Sequence, residues 1–146
     1  LLVKKTKKGL PDCQLTLTPH QKEWERLSGL RIPEQTVSNT QKALGEFQAG
    51  TILVAKSHKT AVYQGETVAH LEVGGPYQAT GGMGDTLAGM ITGFLAQFAS
   101  IGSYKAVTVA VWLHSAIADD LAKNAYVVLP TLISKAIPSW IKKLSL

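Results

Sequence analysis

The chain has 146 residues, of which 45% are hydrophobic and 17% are charged, a composition typical of a folded α/β-type domain rather than a disordered segment. Its net charge is +5, but the lysines are concentrated near the two ends without interleaved aromatic residues or a basic helix face, so we expect no nucleic-acid binding. No apolar run reaches the roughly 20 residues that a membrane-spanning helix needs, so we expect no membrane contact.

Cys13 is the single cysteine, and no cysteine or histidine cluster has the spacing of a metal site. We therefore expect no internal disulfide, no metal ligands from the protein and a reducing, cytoplasmic setting. The first residues do not have the pattern of a signal peptide. Because the chain also begins without methionine, we expect it to be part of a longer protein.

The first predicted elements are a short strand and two helices. The strand covers 13–18, and the first helix covers 21–30. The second helix is predicted over 40–49, with Ser38 or Asn39 as its N-cap and Gly50 directly after its end.

The remaining pattern predicts a buried strand, a hairpin and three helices. The strand lies within the apolar run 51–57, and the hairpin covers 60–74 with a turn at Gly65. The helices are predicted over 86–98, over 104–124, and from Pro130 onward with a break or kink at Pro138. Strands and helices in this order indicate a layered α/β fold, which we expect to form a single domain over 1–146.

A glycine-rich turn, "ATGGMGD" (79–85), precedes the helix predicted over 86–98. The first N–H groups of a helix have no partners within it, and glycine lets the backbone approach a phosphate closely. Gly81, Gly82, Met83 and Gly84 can therefore offer several N–H donors to one phosphoryl group. The turn has neither the GxxxxGK[ST] pattern of a P-loop nor the GxGxxG pattern of a dinucleotide site.

Asp85 follows the turn and has two interpretations. As an N-cap it would simply begin the helix. As a base it would take the proton from a hydroxyl that attacks the held phosphoryl group, while the N–H groups stabilise charge on the transferred oxygens. The residue types and their spacing leave both interpretations open.

The segment "ATGGMGDTLAGMI" (79–91) resembles the GxGD signature of the ribokinase-like superfamily. Four further motifs resemble one branch of it, the ADP/ATP-dependent NAD(P)H-hydrate dehydratases. They are "LTPHQKEWERL" (17–27), "LVAKSHKTAVY" (53–63), "AVWLHSAIADDLA" (110–122) and "LISKAIPSW" (132–140). Together they cover nearly all of this chain and match the C-terminal half of the longer family proteins.

This resemblance implies a ribokinase-like, three-layer α/β/α fold, of which the chain would form the C-terminal half. It also implies an enzyme that repairs hydrated NADH or NADPH. ADP or ATP would donate a phosphoryl group to the ring hydroxyl, and phosphate would then leave to restore the ring double bond. Mg²⁺ is expected with the nucleotide, held mainly by phosphates and water, and a homotetramer is expected because the family is usually tetrameric.

The family roles fall on specific positions of this chain. Asp85 would be the base and a substrate contact, His20 would contact the substrate, and Gly82, Met83 and Gly84 would form the anion hole. The nucleotide would be bound by Lys56, Ser57, His58, Lys59, Thr60 and Gly84. Before the glycines this chain reads Gly75-Pro76-Tyr77-Gln78, where the family commonly has Gly-Asn-Pro-Gly.

Other interpretations remain open at the level of sequence. A small-molecule kinase of the same superfamily, such as one acting on a vitamin precursor, would share Asp85 and the glycines. A non-catalytic nucleotide-binding module would keep the turn without turnover. Outside the motifs, His114 is expected to be a core histidine, while Asp119 and Asp120 are expected to face solvent or pair with Lys123.

Overall fold

The structure, a computed structural model, describes residues 13–145. The chain divides into two compact units, with the boundary between His70 and Leu71. Over the described residues, the first unit contains a four-stranded sheet and two α-helices, and the second contains three α-helices. Strands and helices are thus both present, as the predicted α/β class requires. The single domain over 1–146 stays a prediction.

The sheet of the first unit is mixed. Its strands are β1 (Thr16–Leu17), β2 (Ile52–Ala55), β3 (Ala61–Gln64) and β4 (Thr67–His70), and they lie in this order. β1 and β2 are parallel, whereas β2 and β3, and β3 and β4, are antiparallel. The predicted hairpin is confirmed, with Gly65 at φ +55° in its turn. The predicted buried strand is also confirmed, because the first three residues of β2 are fully buried.

Two helices cover one face of this sheet and share a core with it. They are α1 (Gln21–Ser28) and α2 (Val37–Leu44). Trp24 of α1 is 1% exposed and stacks on Phe47, with ring centroids 5.6 Å apart. Leu53 and Tyr63 of the sheet belong to the same cluster. Burial of such large side chains contributes several kcal/mol each, and it holds α1 and the strands it covers in a fixed arrangement.

The bounds predicted for α2 are wrong at both ends. Its N-cap is Thr36, whose Oγ1 accepts a hydrogen bond from the N–H of Asn39 at 3.3 Å. The helix ends before Gly45, because the chain turns there and carries Phe47 into the core against Trp24. Gly50, with φ +80°, therefore lies in the turn before β2 and not at the helix end.

The second unit is built from α3 (Met83–Gln97), α4 (Ser103–Ala122) and α5 (Pro130–Leu144). α3 begins earlier than predicted, with Gly82 as its N-cap, while α4 agrees closely with its prediction. Pro130 occupies the first turn of α5 as predicted, and Pro138 lies inside the helix, so of the predicted break or kink the break is wrong. The helix continues because the carbonyl that loses its partner belongs to the exposed Ser134, where water can replace the missing N–H.

Over the described residues, no helix combines the length and the apolar character needed to cross a membrane. α4 is the longest of the described helices, but most of its apolar side chains are buried against protein. Val107, Val111 and Ile117 are each at most 1% exposed, and α4 packs against both α3 and α5.

His114 lies on α4 and is 4% exposed, so the expected core position is confirmed. Its Nδ1 is 3.4 Å from the Nε2 of Gln78, and its Nε2 has no hydrogen-bond partner within the described part of the chain. Burial lowers the pKa of His114 from 6.5 to about 4, against a smaller upward effect of the Met83 backbone. The side chain is therefore neutral near pH 7, and its hydrogen bonding is incomplete.

We expect the free energy of unfolding to decrease as the pH falls from about 6.5 to about 4. The unfolded chain protonates His114 near its ordinary pKa, whereas the folded chain does so only near 4, so protonation favours the unfolded state. By linkage this amounts to about 2 kcal/mol at pH ~5. Urea unfolding near neutral pH and near pH ~5 measures the difference. His114→Gln should remove this part of the pH dependence, and an unchanged dependence in that variant would contradict the burial of a neutral imidazole.

Candidate functional site

The ends of β1 and β2 bring two of the predicted site segments side by side. The N–H of Lys56 donates to the carbonyl of Pro19 at 3.0 Å, and His20 pairs with Lys56 in an isolated parallel bridge. Neighbouring parallel strands end at the same edge of a sheet, which is where α/β proteins commonly bind ligands. His20 and the segment 56–60, although far apart in sequence, thus lie at one edge.

His20 is the N-cap of α1. Its Nδ1 accepts hydrogen bonds from the N–H groups of Lys22 and Glu23, both at 3.2 Å, and its own N–H donates to the carboxylate of Glu23 at 2.8 Å. Because Nδ1 is an acceptor, the neutral ring carries its proton on Nε2, which lies 3.5 Å from the second carboxylate oxygen of Glu23. The histidine therefore has a structural role at the helix start, and its contact with substrate stays a prediction.

The segment after β2 forms a turn that its own hydroxyl groups close. The Oγ of Ser57 accepts from the N–H of Lys59 at 3.1 Å and donates to the carbonyl of the same residue at 2.7 Å. Thr60 Oγ1 donates to the carbonyl of Ser57 at 3.4 Å. Neither Lys56 nor Lys59 forms an ion pair with a residue that the structure describes. The turn thus presents unpaired positive charge at the sheet edge, which suits a phosphate.

A cavity of about 360 Å³ opens beside this turn. Lys56, His58 and Lys59 line one part of it, and Thr36 and His70 line another. Its volume lies in the range of small-molecule sites, and its lining combines apolar wall with a few polar and positive groups.

The glycine turn leads directly into α3. Gly82 adopts the left-handed conformation, with φ +83°, and is the N-cap. The N–H of Met83 makes only a long hydrogen bond, 3.4 Å, to the carbonyl of Thr80. No acceptor among the described residues is found for the N–H groups of Gly84 and Asp85. These free donors point out of the positive end of the helix dipole, and this is the arrangement that binds an anion.

Asp85 is the third residue of α3, so its interpretation as the N-cap is wrong. Gly82 begins the helix because only glycine readily adopts the left-handed conformation required there. The side chain of Asp85 is exposed and makes no hydrogen bond or ion pair with the residues that the structure describes. A free carboxylate beside free N–H donors can accept a proton next to a bound anion.

The predicted site residues fall into two groups. His20 and the segment 56–60 belong to the first unit, and the segment 82–85 belongs to the second. The roles of both groups stay predictions, and each group is described within its own unit. The first has unpaired cations beside a cavity, and the second has free N–H donors beside a free carboxylate.

Two residues of functional interest, Asp119 and Tyr77, were missed by the analysis of the sequence. Asp120 pairs with Lys123 at 2.9 Å as expected, but the same expectation for Asp119 is wrong. Asp119 accepts hydrogen bonds from the N–H of Gly74 at 2.9 Å and from the hydroxyl of Tyr77. A signal was available in the spacing, because Asp119 lies four residues after Ser115, a small residue within the apolar stretch of the predicted helix, and therefore on the same face.

Curated relatives match this chain along its whole length. The ADP-dependent (S)-NAD(P)H-hydrate dehydratase of Streptococcus thermophilus is 81% identical over 146 residues, which are 100% of this chain and 52% of the relative. The protein of the same name from Streptococcus pneumoniae is 53% identical over 143 residues, 97% of this chain and 49% of the relative. The chain therefore spans about half the length of the curated relatives it matches.

Several solved structures superpose on this chain over most of its length. A hypothetical protein from Streptococcus mutans superposes with a TM-score of 0.93 at 60% identity, over 99% of this chain and 52% of its own. A ribokinase-like superfamily protein from Enterococcus faecalis superposes with a TM-score of 0.81 at 49% identity, over 88% of this chain and 44% of its own. The ADP/ATP-dependent NAD(P)H-hydrate dehydratase of Bacillus subtilis, co-crystallised with ATP and Mg²⁺, superposes with a TM-score of 0.81 at 28% identity, over 94% of this chain and 51% of its own.

The ribokinase-like α/β class predicted from the sequence is confirmed by these structures. The resemblance is not confined to the sequence motifs, because a family model described as NAD(P)H-hydrate dehydratase matches residues 1–139. Identity of 81% with a curated member, over every residue of the chain, agrees with that match. This chain belongs to the NAD(P)H-hydrate dehydratase family.

Proposed function

We propose that this chain supplies the phosphoryl-transfer residues of an ADP-dependent dehydratase that repairs hydrated NADH and NADPH. The observation that carries the proposal is at the start of α3, where the exposed carboxylate of Asp85 lies beside the free N–H groups of Gly84 and Asp85. The name of the Streptococcus thermophilus relative supports the substrate and the donor. It also favours a dehydratase over a small-molecule kinase or a module without activity.

Asp85 acts as the base in this proposal. It takes the proton from the hydroxyl on the hydrated nicotinamide ring, and the oxygen of that hydroxyl attacks the terminal phosphorus of the nucleotide. The bond from that phosphorus to the leaving nucleotide oxygen breaks, which gives a phosphate ester and, from ADP, AMP. The N–H donors of Gly82, Met83 and Gly84 stabilise charge on the transferred oxygens.

Elimination then restores the cofactor. The carbon–oxygen bond of the phosphate ester breaks, phosphate leaves with the bonding electrons, and a proton leaves the neighbouring ring position to form the double bond. Phosphorylation is needed because hydroxide is a poor leaving group and phosphate is a much better one. In this scheme the protein binds and orients the reactants and accepts the first proton.

The nucleotide contacts are assigned to Lys56, Ser57, His58, Lys59 and Thr60, together with Gly84, and a contact with the substrate is assigned to His20. The support lies in the unpaired charges of Lys56 and Lys59 and in the cavity beside their turn. ADP is the proposed donor because the two streptococcal relatives are named ADP-dependent. The Bacillus subtilis structure was obtained with ATP, so ATP is the alternative donor.

Mg²⁺ is proposed to accompany the nucleotide. Among the described residues, no group of three or more histidine, cysteine, aspartate or glutamate side chains could hold a metal ion. We propose that phosphates and water hold the ion, which when bound would neutralise phosphate charge. A homotetramer and a cytoplasmic setting complete the proposal, and sedimentation equilibrium of the purified protein tests the tetramer.

The activity is tested in a hybrid protein, in which this chain replaces the matching half of the Streptococcus thermophilus relative, and in the chain alone. Hydrated NADH and ADP are supplied, and NADH absorbance, free phosphate and AMP are measured together. Equal amounts of the three products support the dehydratase. Accumulation of a stable phosphorylated product indicates a kinase, and nucleotide binding without turnover by the hybrid indicates a non-catalytic module.

Asp85→Asn should abolish turnover of the hybrid while nucleotide affinity is kept. The amide cannot accept the hydroxyl proton, so kcat should fall by at least about 100-fold. The dissociation constant for ADP should change by less than about threefold, because the N–H donors remain. Steady-state kinetics and calorimetry measure the two quantities, and Asp120→Asn is the matched control. Full activity in the Asp85 variant would exclude this residue as the base.

Lys56→Ala should weaken ADP binding by about tenfold, the effect of losing one hydrogen bond to a charged group. The loss should shrink as salt is added, because the interaction is electrostatic. Calorimetric titration at two salt concentrations measures both effects. Lys42→Ala, which removes an exposed lysine from α2, is the control. An unchanged dissociation constant for the Lys56 variant would remove this residue from the nucleotide site.

A further inference from the structure

We infer that Asp119 is a positioning residue, whose carboxylate fixes the loop 74–80 and thereby places the glycine turn at the start of α3. The inference rests on the proposed function for its effect on turnover, because the placed groups are Asp85 and the N–H donors of the turn. The attachment of the loop to α4, which is the structural part of the inference, depends only on contacts within the second unit.

The carboxylate of Asp119 binds the loop at two points. The N–H of Gly74 donates to Oδ1 at 2.9 Å and to Oδ2 at 3.2 Å, and the hydroxyl of Tyr77 donates to Oδ1. No lysine, arginine or histidine within the described ranges forms an ion pair with this carboxylate. The negative charge of Asp119 is therefore stabilised by loop donors, and hydrogen bonds to a charged acceptor are among the stronger ones.

The first attachment point favours glycine. Gly74 adopts φ +101°, where side chains are strained, and a Cβ added there would lie 2.6 Å from Oε1 of Gln78 and 3.3 Å from Oγ of Ser115. Ser115 belongs to the same face of α4 as Asp119. The loop backbone thus lies directly against this helix, and the carboxylate binds it where it touches.

A second set of hydrogen bonds fastens the same loop on another side. The carbonyl of Tyr77 accepts from the N–H of Val128 at 3.0 Å, and Thr80 Oγ1 donates to the carbonyl of Val128 at 3.2 Å. The carbonyl of Thr80 in turn accepts from the N–H of Met83, the first residue of α3. Tyr77 therefore connects Asp119 to Val128, and a shift of Tyr77 is passed through Thr80 to the helix start.

Tyr77 remains a donor over the whole physiological pH range. Burial and the neighbouring Asp119 raise its pKa to about 12. The hydroxyl therefore keeps its proton, and the contact with Asp119 is not lost by ionisation of the tyrosine.

The neighbouring residue Asp120 provides the contrast. Its carboxylate is 44% exposed and pairs with Lys123 at 2.9 Å, one turn later on the same helix. A pair of this kind contributes little to stability. The two adjacent aspartates thus differ in the partners of their carboxylates, so Asp119 is the test residue and Asp120 is its control.

The test compares Asp119→Asn, Tyr77→Phe and Asp120→Asn in the hybrid. An asparagine at 119 has one acceptor oxygen for two donors, and its amide group opposes a donor. Turnover per nucleotide-binding site, with sites counted by calorimetric titration, should fall about tenfold or more in Asp119→Asn. It should fall less in Tyr77→Phe, because the Gly74 contact remains, and it should not change in Asp120→Asn.

Hydrogen exchange gives a readout that does not depend on activity. In Asp119→Asn the protected amides of Gly74, Gln78, Ala79 and Thr86 should exchange faster, while those of α4 from Ala106 to Ile117 keep the parent rate. A merely stabilising role for Asp119 predicts instead fewer binding sites and faster exchange throughout the unit, with turnover per site unchanged. That result overturns the inference, and so does parent-like exchange over 74–86.

The two proposals fail in different ways. If the parent hybrid shows no turnover with ADP or ATP, the proposed function fails, and hydrogen exchange still decides whether Asp119 holds the loop. If the parent is active and Asp119→Asn exchanges faster but keeps full turnover per site, the loop is held without positioning the reactive groups, and the inference is wrong.

Discussion

The N–H groups of Gly84 and Asp85, in the first turn of α3, cannot reach a carbonyl of their own helix, and the glycine turn gives them no other partner among the described residues. Helix geometry alone creates this deficit, but glycines cannot hold the turn in place, because they carry no side chain that could pack. The surrounding structure must therefore do so. The many hydrogen bonds of residues 74–80 to Asp119 and Val128 have this physical basis.

Both candidate groups carry charged side chains that form no ion pair with a described residue. Lys56 and Lys59 at the sheet edge, and Asp85 at the helix start, are partly or fully exposed, so each remains solvated before a ligand arrives. Solvated ions cost little, and no ion pair among the described residues has to be broken when a phosphate binds. The charged side chains of the two candidate groups are thus left free, while the neighbouring residues Ser57 and His20 use their hydrogen bonds within local structure.

The adjacent residues Asp119 and Asp120 show why residue type does not settle a role. Both are carboxylates at the end of the same helix. Asp120 pairs with an exposed lysine, whereas Asp119 accepts hydrogen bonds from the loop 74–80. A helix rotates by about 100° per residue, so neighbours on a buried helix meet entirely different surroundings. Tyr77, in the segment before the glycines, adds a donor for this carboxylate.

Features governed by local chemistry were determined by the sequence alone. The apolar run of β2 requires burial, Gly65 permits the hairpin turn, and the glycines before an apolar helix leave N–H donors free at its start. The tertiary structure decided what depends on distant partners. It ended α2 early so that Phe47 could reach Trp24, made Gly82 the N-cap of α3 in place of Asp85, and placed His20 beside Lys56. The reason is physical: periodicity along the chain tells which face of an element is buried, but only the fold determines which residues lie against that face.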